Sequence, residues 1–313
     1  MQVFVVGSFV IACSVKVARL PRAGESLDAA AFVSEPGGKG FNLALAARRL
    51  GMGVDGLFAV GTDAFAAIAE ATFADLGFPP AMLVRRPGST GAGVGFVDSL
   101  GENCLAVSLG ANLALDDAEV RRAAPRLLHA RLVAATHESP DAAIREAFAR
   151  ARANGALTLL NPSPTRAIDP GILSTTSILV VNAVEAAELG LGDADALAAA
   201  RGRTPALDAL LRAGPELVVV TLGEGGAVAF REAAPPLRQP AFAVAAVDTL
   251  GAGDAFAAGL LASLLERRPL DEALRRAAAC GALATLRFGA FDAFPTASAL
   301  DRFLALEARA GTA

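Results

Sequence analysis

The sequence predicts a layered α/β fold around a mainly parallel sheet, from three features. Short apolar runs alternate with Ala- and Leu-rich stretches of helical period along most of the 313 residues. Runs such as LVVVTL are continuously apolar, as strands buried on both faces should be. Two stretches, 9–35 and 88–109, depart from this rhythm with short β-like runs separated by turn residues.

Taken in order, MQVFVVGSFV places the first strand over 3–6 and shows no basic leader. FVIACSVKVARL and AAAFVSE follow as hairpin-like runs, with Pro21 and Gly24 as turn residues. A helix is expected over 39–50, a strand over 54–60 and a helix over 63–76. GAGVGFVDS and NCLAVSL form the second irregular stretch, broken at Gly101 and Asn103. Hairpins of this kind do not readily extend a parallel sheet, so a small β-layer beside it is expected, either as surface decoration or as a lid over a pocket. Strands over 132–135, 156–160, 178–181 and 217–222 then alternate with helices over 139–153, 183–189 and 205–212. From residue 251 the pattern is helical, over 251–266, 270–287 and 296–308. With no internal repeat and no low-complexity linker, one domain spanning 1–313 is expected.

Composition narrows the function. No apolar stretch approaches the roughly 20 residues of a membrane-spanning helix, so a soluble, cytoplasmic protein without a membrane partner is expected. Cys13, Cys104 and Cys280 form no CxxC pair, and His129 and His137 are the only histidines, which argues against a disulfide framework or a zinc centre. A net charge of −4 without Trp or Tyr offers neither the basic field nor the usual stacking set for nucleic acid. Of 28 basic residues only Lys16 and Lys39 are lysines. A lysine retained in so arginine-rich a chain is a flag for chemistry.

The most informative segment is DTLGAGDAF at 248–256, which runs into an apolar helix. Small residues at Gly251, Ala252 and Gly253 let backbone N–H groups converge at a helix start, forming an anion cradle. Asp254 inside it would repel a phosphate but suits a general base, taking a proton from an alcohol that attacks a phosphoryl group. Its alternative is a helix N-cap. The segment is not a Walker A loop, and Phe256 stands where a dinucleotide fingerprint needs glycine. A second segment, EPGGKGFN at 35–42, opens a helix with paired glycines that permit close approach to a ligand. Lys39 suits an anionic or polyhydroxyl ligand, or simply faces solvent. Asn42 suits sugar-type hydroxyls, or serves as a solvated or capping amide. Asn182 and Glu185 share a helical face at the sheet edge, where they could hold hydrated Mg²⁺ near phosphates; Asn182 as an ordinary N-cap is the alternative. TLGEGG at 221–226 is either a nucleotide contact or a hairpin turn.

Together these segments resemble the ribokinase-like (phosphofructokinase-B type) carbohydrate kinase family. The similarity runs nearly the whole chain: GS at 7–8, GE at 24–25, GGKGFN at 37–42, STG at 89–91, GEN at 101–103, GAN at 110–112, ESP at 138–140, NPSP at 161–164, NAVE at 182–185, TLGEGG and DTLGAGDAF. It implies a three-layer α/β/α sandwich with a small β-sheet lid, and ATP-dependent phosphorylation of an alcohol. By this resemblance Asp254 is the base, with Gly251, Ala252 and Gly253 as the anion hole. Gly38, Lys39, Asn42 and Glu138 surround the sugar. Asn182 and Glu185 lie on the ATP and Mg²⁺ side, and Thr221, Gly223, Gly226 and Gly253 contact the nucleotide. Asp248 and the Leu250 carbonyl resemble the ligands of a monovalent-cation site, K⁺ in character, although RFGAFDAFP lacks the hydroxyl side chain expected in its later part. A homodimer through the lid is a further implication.

The departure lies in the lid. Between GS and GE, ribokinases of the family carry an Asn and an Asp where this chain has Val10 and Ala12. That Asp accepts bonds from two sugar hydroxyls, each worth roughly 1.5–3 kcal/mol. Phe41 also stands where a smaller residue is usual. The expected acceptor is therefore a small carbohydrate with fewer hydroxyls, a different ring or an apolar substituent. A nucleoside acceptor is the alternative, against the lack of Trp and Tyr. A non-catalytic sugar-binding or regulatory protein is the third reading, against the intact GAGD.

Overall fold

The computed structural model describes residues 2–98, 103–193, 196–197 and 204–310. Among these the strands form two sheets. The larger contains β1 (Gln2–Gly7), β4 (Gly53–Val60), β5 (Leu83–Arg85), β8 (Leu132–Thr136), β9 (Leu157–Asn161), β10 (Ile178–Asn182), β11 (Leu217–Thr221), β12 (Ala227–Phe230) and β13 (Leu237–Gln239). Its spatial order is β13-β12-β11-β10-β9-β8-β1-β4-β5. Every pairing from β11 to β5 is parallel; β12 and β13 close one edge antiparallel.

Alternation along each strand feeds two separate cores. Val3, Val5, Leu132, Ala134, Val180 and Val219 belong to one, and Phe4, Val6, Val133, Ala135, Val181 and Val220 to the other. The first core is covered by α1 (Lys39–Arg49), α2 (Ala64–Asp75), α8 (Ala252–Leu265), α9 (Leu270–Ala284) and α10 (Ala297–Ala310). The second lies under α3 (Asp117–Leu127), α4 (Asp141–Ala153), α5 (Pro170–Leu173), α6 (Ala183–Glu188) and α7 (Pro205–Ala213). This is the expected three-layer α/β/α sandwich. Helix α8 is apolar on nearly every face because α9 covers it: a Cβ on Gly259 would come within 2.8 Å of Cys280 Sγ.

The small sheet holds β2 (Val10–Lys16), β3 (Ala31–Gly37), β6 (Gly91–Val97) and β7 (Asn103–Ser108) in the order β3-β2-β6-β7. The two irregular stretches each supply an antiparallel pair, and a parallel β2–β6 ladder fuses the pairs. Residues 99–102, including most of GEN, lie outside the described residues.

Several elements differ from the sequence expectation. Helix α3 was not anticipated because its apolar positions, Val120, Ala123 and Leu127, are sparse among charges; Asp116 caps it, accepting from Glu119 N at 2.8 Å. The helix expected to reach 287 ends at Ala284. Thr285 is its C-cap residue: the hydroxyl donates back to Ala282 O, while the Thr285 carbonyl accepts from the amides of Val247 and Asp248. TLGEGG is a hairpin connection, pairing Thr221 with Ala227.

Candidate active site

The C-terminal ends of the parallel strands converge with the starts of α1 and α8, the edge at which open α/β sheets bind ligands. β1 ends at Gly7 and Ser8. A Cβ on Gly40 would lie 2.3 Å from Gly7 Cα, so glycine at both positions is what lets α1 start against β1. Gly38 has φ of 102° and packs on the Ser8 carbonyl. The Ser8 hydroxyl donates to Glu138 Oε2, which also accepts the Lys39 amide at 2.8 Å. Glu138 follows β8 in a loop clamped by Arg166, whose guanidinium donates to the His137 and Ser139 carbonyls and to Asp141. His137 is buried within that loop, and burial, with Arg166 adding, pushes its pKa down to about 4, so it is neutral.

From the opposite side comes α8. Gly251 takes φ of 76° as its N-cap residue, and Asp254 stands in its first turn. Asp254 does not cap the helix; its buried Oδ2 accepts from Asn42 Nδ2 at 2.9 Å. Asn42 is correspondingly neither solvated nor a cap: it is buried, and its Oδ1 has no partner among the described residues. A Cβ on Gly253 would meet nothing, so the first turn of α8 faces open space beside Asp254.

Charge organises the same place. Burial raises the Asp254 pKa, opposed by Lys39 and by the Asn42 bond, with Glu138 and Glu185 adding to the rise. Burial alone would lower Lys39, but Asp254, Glu138 and Glu185 together hold it above its ordinary value. Lys39 is therefore half-buried rather than simply solvent-facing, and its charge is favoured by Asp254, Glu138 and Glu185.

Asn182 and Glu185 form a reciprocal capping box at the start of α6: Asn182 Oδ1 accepts from Glu185 N and Glu185 Oε2 from Asn182 N, both at 2.9 Å. The capping alternative for Asn182 is thus realised, and Glu185 is buried. Thr221 pairs in register with Asn182 at the adjacent strand end. Gly223 has φ of 56° with open space where a Cβ would be. Gly226 is explained differently: a Cβ there would sit 2.1 Å from Gln239 O, so its backbone packs against the chain after β13. Asp248 accepts from Leu250 N and Gly289 N, both at 3.0 Å. Three residues were given no role in the sequence: Ser8, Arg166 and Glu35. Ser8 had a signal as part of GS and Glu35 as the first residue of EPGGKGFN, while Arg166 had none.

A buried carboxylate in the first turn of an open helix start, with a lysine in its electrostatic surroundings, is an arrangement suited to phosphoryl transfer to an alcohol. The pfkB family carbohydrate kinase model matches residues 1–297. The chain belongs to this family and is an ATP-dependent carbohydrate kinase. It is 33% identical to mouse ribokinase over 299 residues, covering 94% of this chain and 91% of the mouse protein. It is 29% identical to a deoxyribokinase of Salmonella typhi, covering 98% of this chain and 99% of the other. Arabidopsis thaliana ribokinase, complexed with ribose and ATP, superposes with a TM-score of 0.85 at 27% identity, covering 97% of this chain and 98% of that one.

Proposed function

We propose that the protein transfers the γ-phosphoryl group of ATP to a hydroxyl of a small carbohydrate, with Asp254 as general base and the backbone at Gly251, Ala252 and Gly253 as anion hole. The observation that carries this is the pairing of buried Asp254 with Asn42 beside the open face of Gly253. Asp254 removes the hydroxyl proton, and the helix start stabilises the charge that develops on the transferring group. Gly38, Lys39, Asn42 and Glu138 hold the acceptor. Ser8 and Arg166 fix Glu138. Thr221, Gly223 and Asn182 lie along the strand ends that would take the nucleotide, with Gly226 shaping that turn.

Glu185 retains one oxygen for a hydrated Mg²⁺, which would supply charge neutralisation at the phosphates. Both Asp248 oxygens already accept amides, so this carboxylate orders the cradle loop by itself. K⁺ would use its remaining lone pairs and the Leu250 carbonyl. Dependence on ATP supports a cytoplasmic location, and no helix among the described residues is long and apolar enough to cross a membrane.

The acceptor is a sugar with fewer hydroxyls than ribose presents, or one with an apolar substituent. Val10 and Ala12 share one face of the small sheet with Gly37, whose Cβ would lie 3.1 Å from Ala12 Cβ, and Glu35 is the acid paired with Ala12 on that face. Phe41 is fully buried against Phe9, Phe73 and Phe291, so it presents no ring face to a nucleoside, and that alternative rests on the apolar Val10 and Ala12 alone. We read the small sheet, segments 9–35 and 88–109, as a lid within one kinase domain. Its exposed Phe32, Val94, Leu105 and Val107 support a homodimer through it, which sedimentation would measure. An ADP-release screen over ribose, 2-deoxyribose, hexoses and nucleosides tests the activity. Absence of transfer to every acceptor, with Mg²⁺ and K⁺ present, would refute it.

A further inference from the structure

Glu35 lies outside every motif that carries the family resemblance, yet it ties the small sheet to the loop that follows α9. It projects from β3 on the face shared with Ala12 and Gly37. Its Oε1 accepts the Ala290 amide at 2.7 Å and the Phe291 amide, less closely, at 3.4 Å. The preceding amide, Gly289 N, donates to Asp248, which also accepts from Leu250 N. Three successive amides of one loop are thus divided between two carboxylates. One comes from the small sheet, and the other from the segment that runs directly into Gly251. Gly289 has φ of 78°, and a Cβ on it would lie 2.8 Å from Glu35 Oε2, so this approach depends on glycine.

The placement is unfavourable in isolation. Burial raises the Glu35 pKa, and Asp292 and Asp248 add to the rise, against the two amide bonds. A neutral side chain on β3 would avoid that cost but could not take up the loop amides as a charged acceptor does.

We propose that Glu35 is a positioning residue that fastens the small sheet to the 289–291 loop and, through Asp248, sets the backbone of the anion cradle at 251–253. The proposal rests on reading that cradle as the phosphoryl-transfer site. It requires no contact between Glu35 and the acceptor or nucleotide. It makes seating of the small sheet and ordering of the cradle one event.

The test is amide hydrogen exchange on the full chain, without substrates, for wild type, Glu35→Ala and Glu35→Leu. Exchange at 289–291 and 248–253 should accelerate about tenfold or more in both variants, with peptides from β10 and α4 unchanged. Wild-type protection at 248–253 in both would overturn the proposal. Should Glu35→Ala not fold, Glu35→Leu, which keeps the bulk, decides it. In kinase assays kcat should fall about 10- to 100-fold in both variants, with acceptor KM within about threefold. Glu35→Gln, whose amide oxygen still accepts from Ala290, should recover most of that loss. A raised acceptor KM at unchanged kcat would instead make Glu35 an acceptor ligand and overturn the positioning role. Failure of wild type to phosphorylate any acceptor would remove the functional reading, while the exchange experiment would still decide the Glu35 linkage.

Discussion

With Asp254 as the proposed base, Asp254 and Lys39 set catalysis against stability in one site. Burying a carboxylate raises its pKa, so the ionised form that a general base requires destabilises the native state. The sign follows from linkage: a raised folded pKa leaves the native state unpenalised below the ordinary carboxylate range and penalised as pH rises through the folded value. Asp254→Asn should therefore lower kcat by about 10²–10⁴ and raise Tm at neutral pH by about 2 °C. The Tm gain should shrink toward pH 4, as thermal melts across pH would record. A lower Tm at pH 7 would mean that the Asn42 bond outweighs the burial cost. Lys39 works in the opposite direction, lowering the Asp254 pKa while three carboxylates hold its own proton in place. In Lys39→Met the acid limb of the kcat/KM profile should move to higher pH. An unmoved limb would separate Lys39 from the protonation of the base, whatever happens to KM.

At the scale of elements, the start of α8 contains two glycines with different reasons to be there. Gly251 is held at φ of 76°, and a Cβ on it would crowd Ala290 and Phe294 at 3.0–3.1 Å. Gly251→Ala should therefore destabilise the fold by about 1–2 kcal/mol from backbone handedness alone. Gly253 has helical backbone and open space where its Cβ would be, so Gly253→Ala should stabilise the helix by up to about 1 kcal/mol. If that open face is the anion hole, the same methyl group should lower kcat at least tenfold. Denaturant melts and initial rates on the two variants separate the roles, and full activity in Gly253→Ala would place the transferring group elsewhere. This also shows what the sequence could convey. GGKGFN and GAGDAF were legible because a glycine that permits close approach and a helix start are local features. Ser8 against Glu138, Arg166 under the 137–141 loop and Glu35 against Ala290 are separated by tens to hundreds of residues, and only the registers of two sheets bring them together. Helix α3 was hidden for a different reason, since its few apolar positions are diluted by charge until packing against β4 and α4 reveals them.

At the scale of the whole molecule, the proposed acceptor site puts specificity on the face of the small sheet that carries Ala12 and Glu35. Ala12 and Glu35 are cross-strand partners in the β2–β3 ladder, so their side chains emerge on one face. An aspartate at 12, as in ribokinases of the family, would stand opposite Glu35 as a like charge, unfavourable by about 0.2–1 kcal/mol. With Glu35 committed to the loop beside the cradle, a small neutral residue at 12 is the compatible partner, and the hydroxyl-binding acid is what the pairing excludes. On this proposal, specificity and cradle order are linked through one strand pair. The prediction is a double-mutant cycle read as kcat/KM for ribose. Ala12→Asp in the Glu35→Gln background should raise it about tenfold or more over Glu35→Gln alone, the range of a charged hydrogen bond to sugar hydroxyls. Ala12→Asp in the wild-type background should gain about two- to fivefold less, the difference measuring the cross-strand repulsion. For 2-deoxyribose, which presents one hydroxyl fewer, the gain should be smaller in both backgrounds. Equal gains with and without Glu35 would show that the two side chains do not share a face in the working enzyme. No gain for ribose in either background would show that this face does not hold the acceptor.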